Sequence, residues 1–378
     1  MINRYLSINQ SIKKGKTLVI LGPRRTGKTT LLNKFISEDK EPLVFYNGDN
    51  LDTQKKLSYH DINHLRPLVG TAGILAIDEA QMIPNIGKSL KIINDQMPNV
   101  SVVVTGSASF ELAGQIGEPL VGRKITKYLY PISIQEIISN TAVPQIKFEE
   151  ILPQLLVFGM YPNAITAPTD QDRKIFLLDL VNSLLLKDIL IYQQVKGADF
   201  LMRLLNLLAY QIGGEVSLSE ISNSLDIDRK TVERYIDLLE KSFIIFRVGG
   251  FNRNLRSEIT KTSRYYFYDI GIRNAIINNF NPIEIRNDVG QLWENFAITE
   301  RLKSRAYKSI YANQYFWRTW KQSEIDLIEE RNGIYHGYEM KWKQKKYSAP
   351  NEWLSTYGDL ATWQIVSVDT FIDFLNDK

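Results

Sequence analysis

Cysteine is absent from this sequence and histidine is scarce, which narrows the chemistry that the chain can perform. Because none of the 378 residues is cysteine, disulfide bonds, thiolate zinc sites and a cysteine nucleophile are all excluded. The three histidines, His60, His64 and His336, form no metal-binding pattern such as HExxH, and a histidine-centred catalytic triad is not expected. Catalysis must therefore rely on carboxylates, hydroxyls and cationic side chains.

Long apolar runs are also missing. No stretch approaches the roughly eighteen apolar residues that a transmembrane helix requires, and Met1–Tyr5 lacks the apolar core of a signal peptide. We therefore expect a cytoplasmic protein with no membrane segment. The formal net charge of +4 favours nucleic acid only weakly, and the length of 378 residues predicts two or three domains.

The most informative stretch is a glycine-rich loop between an apolar strand and a helix. The apolar run Thr17–Leu21 leads into the loop Gly22–Thr29, and apolar residues then recur at helical spacing over Thr30–Ile36. This arrangement matches the GxxxxGK[ST] pattern of a phosphate-binding P-loop, or Walker A motif, although a glycine turn could meet the pattern by chance. The residues predicted to contact the nucleotide are Gly22, Pro23, Arg24, Arg25, Thr26, Gly27, Lys28, Thr29 and Thr30.

Each part of the loop has a physical reason. Gly22 and Gly27 allow the backbone to curl so that successive N–H groups converge on phosphate oxygens, and the positive end of the following helix points at the same anion. Lys28 is expected to reach the β- and γ-phosphates of ATP, and the Thr29 hydroxyl is expected to ligate Mg2+. Arg24 and Arg25 could face the nucleotide or a partner, or could simply be exposed to solvent.

A second motif supplies two carboxylates. The run Ile74–Ile77 reads as a buried strand that ends in Asp78 and Glu79, which is the Walker B pattern. Asp78 would hold Mg2+, and Glu79 would orient and deprotonate the attacking water. An exposed acidic turn is the alternative interpretation.

A fourth strand delivers hydroxyl groups to the same region. Ser101–Val104 reads as this strand and is followed by Thr105, Gly106 and Ser107. Open α/β sheets bind ligands at the carboxyl ends of their strands, so Thr105 or Ser107 could sense the γ-phosphate or position the water. The sequence does not choose between the two, and ordinary turn chemistry would produce the same residues.

This assembly resembles the AAA+ branch of P-loop ATPases. The resemblance implies a parallel sheet with strand order 5-1-4-3-2. It also suggests that Arg123, in the pair Gly122-Arg123, contacts a phosphate, either in its own chain or in a neighbouring subunit of a homo-oligomer. A surface salt bridge is the alternative role for Arg123.

The middle of the chain contains the order of elements found in a winged helix. A short helix over 219–225 is followed by a turn, a helix from Arg229 to about Lys241 that Asp228 can cap, and a strand over 243–248. The buried stripe of the second helix is predicted to be Val232, Tyr235, Ile236 and Leu239. Its outward face offers Arg229, Lys230 and Arg234 as candidate DNA contacts. Because Glu233 and Asp237 lie on the same face, docking of a protein partner is an equal alternative.

A hairpin near the C-terminus carries the second candidate site. Asn332-Gly333 is a strong signal for a two-residue turn between strands that contain Asp326 and Glu339. The implied register places Asp326 opposite Glu339 and Glu324 opposite Lys341, and two facing carboxylates would repel each other unless a divalent cation lay between them. A solvated strand face with an exposed Glu324–Lys341 pair is the alternative.

An acid followed by Glu-x-Lys across a hairpin resembles the motif of restriction-endonuclease-like (PD-(D/E)XK-type) nucleases. Such nucleases add an acid from a preceding helix, and Glu294 matches that position. The resemblance implies a metal site of Glu294, Asp326 and Glu339 with Lys341 beside it, and metal-assisted phosphodiester hydrolysis. Metal sites on this fold can also be vestigial.

Over most of its length the sequence resembles a largely uncharacterised group of prokaryotic ATPases with an AAA+ module, a winged helix and a restriction-endonuclease-like region. The matching segments include Asp78–Gln81, Tyr266–Gly271, Trp293–Phe296 and Phe316–Arg318. We therefore predict an α/β fold with three domains: an AAA+ ATPase domain at 1–145, a helical and winged-helix domain at 146–265, and a restriction-endonuclease-like domain at 266–378. The expected function is Mg2+-dependent ATP hydrolysis coupled to a C-terminal module that binds nucleic acid and could also cleave it. The alternative is a nucleotide-switched protein scaffold with an inactive nuclease fold.

Overall fold

A computed structural model of the protein describes residues 2–107, 118–139, 141–183, 198–251, 262–319, 323–343 and 347–377. These residues form two structural units. The first comprises Met1–Pro131 and Lys241–Phe243, and the second comprises Ile132–Glu240 and Ile244–Lys378. The division into three domains at 1–145, 146–265 and 266–378 stays a prediction.

The first unit is built on a five-stranded parallel sheet. Its strands are β1 Thr17–Leu21, β2 Leu43–Asn47, β3 Ile74–Asp78, β4 Ser101–Gly106 and β5 Lys124–Tyr128. The order across the sheet is β2-β3-β4-β1-β5, which is the predicted 5-1-4-3-2 order read from the other edge. The prediction of a P-loop type sheet is confirmed. The central strands β1, β3 and β4 are buried along their whole length, as the continuous apolar runs in the sequence require.

Helices connect these strands. They are α1 Lys28–Glu38, α2 Leu51–Leu57, α3 Ile62–Val69 and α4 Ile86–Gln96. A 3-10 turn, Ala80–Met82, follows β3 directly. Strands β1 and β3 both pair in parallel with β4, so the carboxyl ends of all three strands lie at one edge of the sheet.

The second unit contains a seven-stranded sheet. Its strands are β6 Glu215–Val216, β7 Ile245–Gly250, β8 Ser263–Phe267, β9 Asn313–Arg318, β10 Glu324–Arg331, β11 Ile334–Met340 and β12 Ala361–Val366. The order is β12-β11-β10-β9-β7-β8-β6. The predicted domain boundary at 265/266 therefore falls inside β8. Because β7 pairs with both β8 and β9, the strands expected in two domains form one continuous sheet.

The remaining helices belong to the second unit. They are α5 Ile134–Ile138, α6 Pro144–Phe158, α7 Pro162–Thr166, α8 Asp170–Ser183, α9 Ala198–Tyr210, α10 Leu218–Leu225, α11 Arg229–Lys241, α12 Ile270–Ile276, α13 Val289–Lys308, α14 Asn351–Tyr357 and α15 Phe371–Asn376. Lys241, the last residue of α11, is counted with the first unit.

The helix, turn, helix and strand order predicted for the middle of the chain is present as α10, α11 and β7. The stripe of α11 is buried as predicted, at Val232, Tyr235, Ile236 and Leu239. The Asp228 side chain accepts a hydrogen bond from the Thr231 backbone N–H at 3.0 Å, which satisfies a free N–H group in the first turn of the helix.

The C-terminal hairpin has the predicted turn and most of the predicted register. Asn332 and Gly333 have φ of +52° and +78°, the left-handed values that a type I′ turn requires. Paired positions run from Arg331–Ile334 to Leu327–Tyr338. On the other side of β10, pairing with β9 shifts by one residue between Ile325 and Ile328, which marks a bulge or irregularity in that interval.

Candidate functional site

The glycine-rich loop leaves the carboxyl end of β1 and passes close to the end of β5. A Cβ atom added to Gly22 would lie 2.2 Å from the carbonyl oxygen of Leu129, so a side chain cannot fit at this position. Gly27 ends the loop with φ of +93° and caps α1. Only glycine adopts such an angle readily. The close approach of Leu129 therefore explains Gly22, and the backbone angle explains Gly27.

The Lys28 side chain folds back over the loop that precedes it. Its ammonium donates hydrogen bonds to the carbonyl oxygens of Gly22 at 3.0 Å and Pro23 at 2.8 Å, and the residue is 5% exposed. The charge is therefore held beside the same loop whose N–H groups are predicted to face phosphate. Thr26 is also buried, and its hydroxyl donates to the Pro23 carbonyl at 2.9 Å.

Hydrogen bonds join the first turn of α1 to the ends of β3 and β4. The Thr29 hydroxyl donates to Asp78 Oδ2 at 2.8 Å, and the Thr105 hydroxyl donates to Asp78 Oδ1. Thr105 Oγ1 in turn accepts the backbone N–H of Glu79 at 3.1 Å. The predicted Walker A, Walker B and sensor residues thus lie within hydrogen-bond distance of one another. The Thr29 hydroxyl and the Asp78 carboxylate are oxygen ligands of the kind that Mg2+ prefers, so this pair could hold the ion of a Mg2+–nucleotide complex.

Glu79 is held by a residue to which the sequence assigned no separate role. Its backbone has φ of +49°, and its carboxylate accepts a hydrogen bond from the side-chain amide of Gln81. The other end of that amide, Oε1, accepts the Ser107 backbone N–H at 3.4 Å. Gln81 is 5% exposed and so links the catalytic candidate to the end of β4. The only sequence signal was its place in the Asp78–Gln81 motif.

Arg4 also supports the loop, and no sequence pattern identifies it. Its guanidinium donates to the Thr26 carbonyl at 2.7 Å and to the Tyr130 carbonyl at 2.6 Å. The N-terminal segment thereby ties the phosphate loop to the residues that follow β5. The partners are backbone carbonyls, which every residue carries, so the sequence gives no complementary pattern to find.

Arg123 lies away from the phosphate loop of its own chain. It precedes β5, and the register pairs the first residue of β5 with Thr17 at the amino end of β1. Its Nε donates to Asp95, which is the surface salt bridge considered as the alternative. A phosphate contact of Arg123, either in its own chain or in a neighbouring subunit, stays a prediction.

The other predicted nucleotide contacts differ in exposure. Arg25 is exposed with φ of +60°, Arg24 is half-buried, and Thr30 is exposed on the first turn of α1. Pro23 is buried and supplies a carbonyl to Lys28. Contact of Arg24, Arg25 or Thr30 with a nucleotide stays a prediction.

The C-terminal acids do come together, but an arginine lies among them. Arg264 on β8 contacts Asp326 at 3.1 Å, Glu324 at 3.0 Å and Glu294 at 3.5 Å. We call Arg264, Glu294, Glu324, Asp326, Glu339 and Lys341 the carboxylate cluster. Asp326 and Glu339 are 4% and 8% exposed, so the alternative of a solvated strand face is wrong.

Two acids of the cluster, Glu294 and Glu339, have a raised pKa. Burial, and then the nearby charge of Asp326, raise the pKa of Glu294 to about 8 and that of Glu339 to about 7. The Tyr266 hydroxyl donates to Glu294 at 2.7 Å, and Lys341 donates to Glu339. Each of these acids is therefore stabilised by donors of the chain itself.

The candidate DNA contacts lie on the outer face of α11. Arg229 pairs with Glu233 at 3.0 Å, one helical turn away, and both side chains are largely exposed. Lys230 is exposed, and the Arg234 guanidinium lies 5.5 Å from the centre of the Tyr235 ring. The mixed charge of this face, noted from the sequence, is present in the structure.

Three parts of the chain match known sequence families. Residues 14–138 match an AAA domain, residues 149–282 match a domain of unknown function (DUF8612), and residues 289–362 match a domain of unknown function (DUF4143). Among the helices of the described residues, none combines the length and apolar character needed to cross a membrane.

Relatives that match most of this chain are uncharacterized proteins. An uncharacterized protein of Mycobacterium tuberculosis is 25% identical over 338 residues, covering 88% of this chain and 72% of that protein. An uncharacterized protein of Haemophilus influenzae is 24% identical over 353 residues, covering 88% of this chain and 84% of that protein. The solved structure of Drosophila ORC bound to DNA overlaps 72% of this chain and 92% of that chain at 11% identity, but the TM-score of 0.20 is too low to carry an argument. Through residues 14–138, the chain is similar to AAA-type P-loop ATPases. The prokaryotic relatives of the chain named above are uncharacterized.

Proposed function

We propose that the first unit binds ATP with Mg2+ and hydrolyses it. The observation that carries this proposal is the chain of hydrogen bonds from Thr29 through Asp78 and Thr105 to the backbone of Glu79, at the carboxyl edge of the sheet. The buried Lys28 at the start of α1 supplies the cation that a triphosphate requires. Ligands of open α/β sheets bind at this edge, which is where these groups meet.

The residues divide the work as follows. The backbone N–H groups of the loop and the N-terminus of α1 bind phosphate oxygens, and Lys28 exchanges its carbonyl partners for the β- and γ-phosphates. Thr29 and Asp78 hold Mg2+, which when bound neutralises charge on the phosphates. Glu79 orients the attacking water and accepts its proton, while Thr105 or Ser107 senses the γ-phosphate.

A pair of lysine variants on the same helix tests this function. Lys28→Ala should abolish ATP turnover, because the buried ammonium is replaced by a methyl group. Lys34→Ala is the matched control, because Lys34 lies on α1 with a side chain that is 42% exposed. Its ammonium pairs with Glu38 at 3.9 Å and donates to Asn3 Oδ1 at 3.4 Å, away from the phosphate loop. The measurement is phosphate release under saturating ATP and Mg2+. Undiminished hydrolysis by the Lys28 variant would refute the site.

For the second unit we propose control by the nucleotide state of the first, with nucleic acid as the bound partner. The support is the three exposed cations on the mixed-charge face of α11, Arg229, Lys230 and Arg234, and the mildly basic charge of the chain. The second candidate is a nucleotide-switched scaffold with an inactive nuclease fold. One observation favours it, namely the position of Arg264 among the acids that were expected to hold a metal.

A further inference from the structure

The carboxylate cluster already contains a cation. The Arg264 guanidinium spans two acids with different nitrogens: Nη1 lies 3.1 Å from Asp326 Oδ1, and Nη2 lies 3.0 Å from Glu324 Oε2. Nη1 also lies 3.5 Å from Glu294 Oε1. Three of the four acids thus share one guanidinium, which stays protonated at any physiological pH.

The guanidinium is fixed in this position. Its side chain is 5% exposed, and its central carbon lies 4.8 Å from the centre of the Phe316 ring. Gly250 pairs with Phe316 between β7 and β9, and a Cβ atom added to Gly250 would lie 3.5 Å from the Phe316 ring, so the backbone of β7 lies close to that ring. The aromatic face and the carboxylates offset part of the cost of burying the cation.

The acids are turned toward these protein donors. Asp326 Oδ2 accepts the Met340 backbone N–H at 2.9 Å while Oδ1 faces Arg264. Glu294 Oε1 accepts the Tyr266 hydroxyl at 2.7 Å. A hard divalent cation needs six or more oxygens at about 2.0–2.6 Å. Within the described residues, no group of three or more potential ligand side chains is arranged to hold a metal ion.

One acid oxygen in the cluster remains without a donor. Glu339 Oε1 is paired with Lys341, whereas Oε2 is buried and accepts no hydrogen bond from any residue that the structure describes. The four acids are matched by two cations, Arg264 and Lys341. Removing the charge of Arg264 would therefore leave buried carboxylates that repel one another. Only a new cation or bound protons could relieve that repulsion.

We propose that Arg264 takes the place of a divalent cation in the carboxylate cluster. With Arg264 present the cluster binds no Mg2+ or Mn2+, and the second unit does not cleave phosphodiesters. The cluster instead fixes β8, β10 and α13 to one another. This inference is independent of ATP hydrolysis, because every residue that it uses lies in the second unit.

Mn2+ titration of the full chain without nucleotide, followed by electron paramagnetic resonance, tests the proposal. The wild-type chain and Asp326→Asn should bind the same amount of Mn2+, because the cluster of the wild type holds none. Arg264→Gln keeps a polar side chain but removes the charge, and it should gain one Mn2+ per chain. The double variant Arg264→Gln/Asp326→Asn should lose that site again. The D326N comparisons separate the cluster from any weak binding at the phosphate loop.

Thermal unfolding provides a second measurement. Saturating Mn2+ should raise the Tm of Arg264→Gln by about 3–6 °C and leave the wild-type Tm unchanged, because the ion replaces the missing guanidinium only in the variant. The proposal is overturned if the wild-type chain binds Mn2+ in a manner that D326N abolishes, or if the Arg264 variant gains no site. If Arg264→Gln does not fold, the titrations of the wild-type chain and of Asp326→Asn still test the proposal. Mn2+ binding that Asp326→Asn abolishes overturns it, and the absence of such binding supports it. Loss of ATPase activity in any of these variants would not bear on this inference.

Discussion

At the scale of single residues, the nucleotide site depends on side chains that position other side chains. Glu79 is the residue expected to act on water, yet its carboxylate orientation is set by Gln81. Gln81 is anchored in turn to the Ser107 backbone at the end of β4. The side-chain amide of Gln81 donates to the Glu79 carboxylate, so this hydrogen bond fixes the direction in which the carboxylate points.

Replacing Gln81 should therefore affect turnover more than binding. We expect Gln81→Ala to lower kcat by about 10- to 100-fold, because Glu79 loses the donor that orients it. The dissociation constant for ATP should change little, since Gln81 contacts no residue of the phosphate loop among the hydrogen bonds described. The measurements are steady-state hydrolysis and equilibrium binding of a fluorescent ATP analogue. A rise in kcat would mean that Gln81 restrains Glu79 instead of positioning it.

At the scale of elements, one buried acid joins two helices of the second unit. Asp269 caps α12 by accepting the Ile272 N–H at 3.3 Å, and it also accepts the Met160 N–H just after α6 at 2.7 Å. The approach is close, because a Cβ on Gly159 would lie 2.0 Å from Asp269 Oδ1. Burial raises the pKa of Asp269 to about 6, and the hydrogen bonds from the backbone only partly oppose it.

This pKa predicts a pH dependence of stability with a definite sign. Because the folded pKa is raised above the unfolded value near 3.8, the folded state holds the proton more tightly. The contribution of this proton to the free energy of unfolding is fully present below about pH 3.8 and is lost as the pH rises through about 6. A pKa shift of this size corresponds to about 3 kcal/mol in total.

The Asp269→Asn variant isolates this contribution. The amide cannot ionise, so the difference in unfolding free energy between the variant and the wild type should change by about 2.4 kcal/mol between pH 4 and pH 7, in favour of the variant at higher pH. Urea unfolding followed by tryptophan fluorescence at several pH values measures it. The variant loses one acceptor, which costs about 1–3 kcal/mol at every pH and does not alter the slope. A wild-type profile parallel to that of the variant would contradict the raised pKa.

At the scale of the whole molecule, the chain returns to its first unit immediately after the helix expected to meet DNA. Lys241–Phe243 follows the body of α11 and belongs to the first unit. There the Phe243 ring packs edge-on against Tyr128, with 5.8 Å between ring centres. Tyr128 ends β5 and precedes Leu129 and Tyr130, whose carbonyls contact Gly22 and Arg4. The chain therefore runs from α11 directly into the first unit, along a path through Phe243 and Tyr128 that lies within that unit.

This path predicts how nucleic acid should act on hydrolysis. Duplex or single-stranded DNA should raise the ATPase rate of the wild-type chain, and the affinity should fall steeply with salt as lysine and arginine contacts to phosphate release counterions. Phe243→Ala should keep the basal rate but lose most of the stimulation, because the packed link to Tyr128 is removed. Phosphate release with and without DNA, at two salt concentrations, measures both effects.

Two outcomes would count against this reading. A flat response of the wild-type chain to DNA would favour the nucleotide-switched scaffold. Full stimulation of the Phe243 variant would mean that the coupling runs elsewhere. Leu178→Ala is a suitable control, because Leu178 is 37% exposed on α8 and its truncation should leave both the basal rate and the stimulation unchanged.

The sequence alone determined the features that depend on contiguous residues. The phosphate loop, the strand that ends in Asp78, the span of α11 and the Asn332-Gly333 turn all follow from local backbone preferences and from the spacing of apolar residues. Such signals are complete within a few residues, because strand length, helix period and turn angles are set by neighbours in the chain. The order of the parallel sheet followed from the resemblance to AAA+ ATPases and is confirmed.

Only the tertiary structure decided which distant side chains meet. Arg264 reaches acids about sixty residues away, at Glu324 and Asp326, because the sheet of the second unit places β7, β8, β9 and β10 in one layer. Arg4 finds backbone carbonyls, and Arg123 finds Asp95 at the far edge of the sheet from the phosphate loop. Local patterns could show that acids would gather on the hairpin, but they could not identify the cation that accompanies them. That choice is made by packing, which brings together groups far apart in the chain.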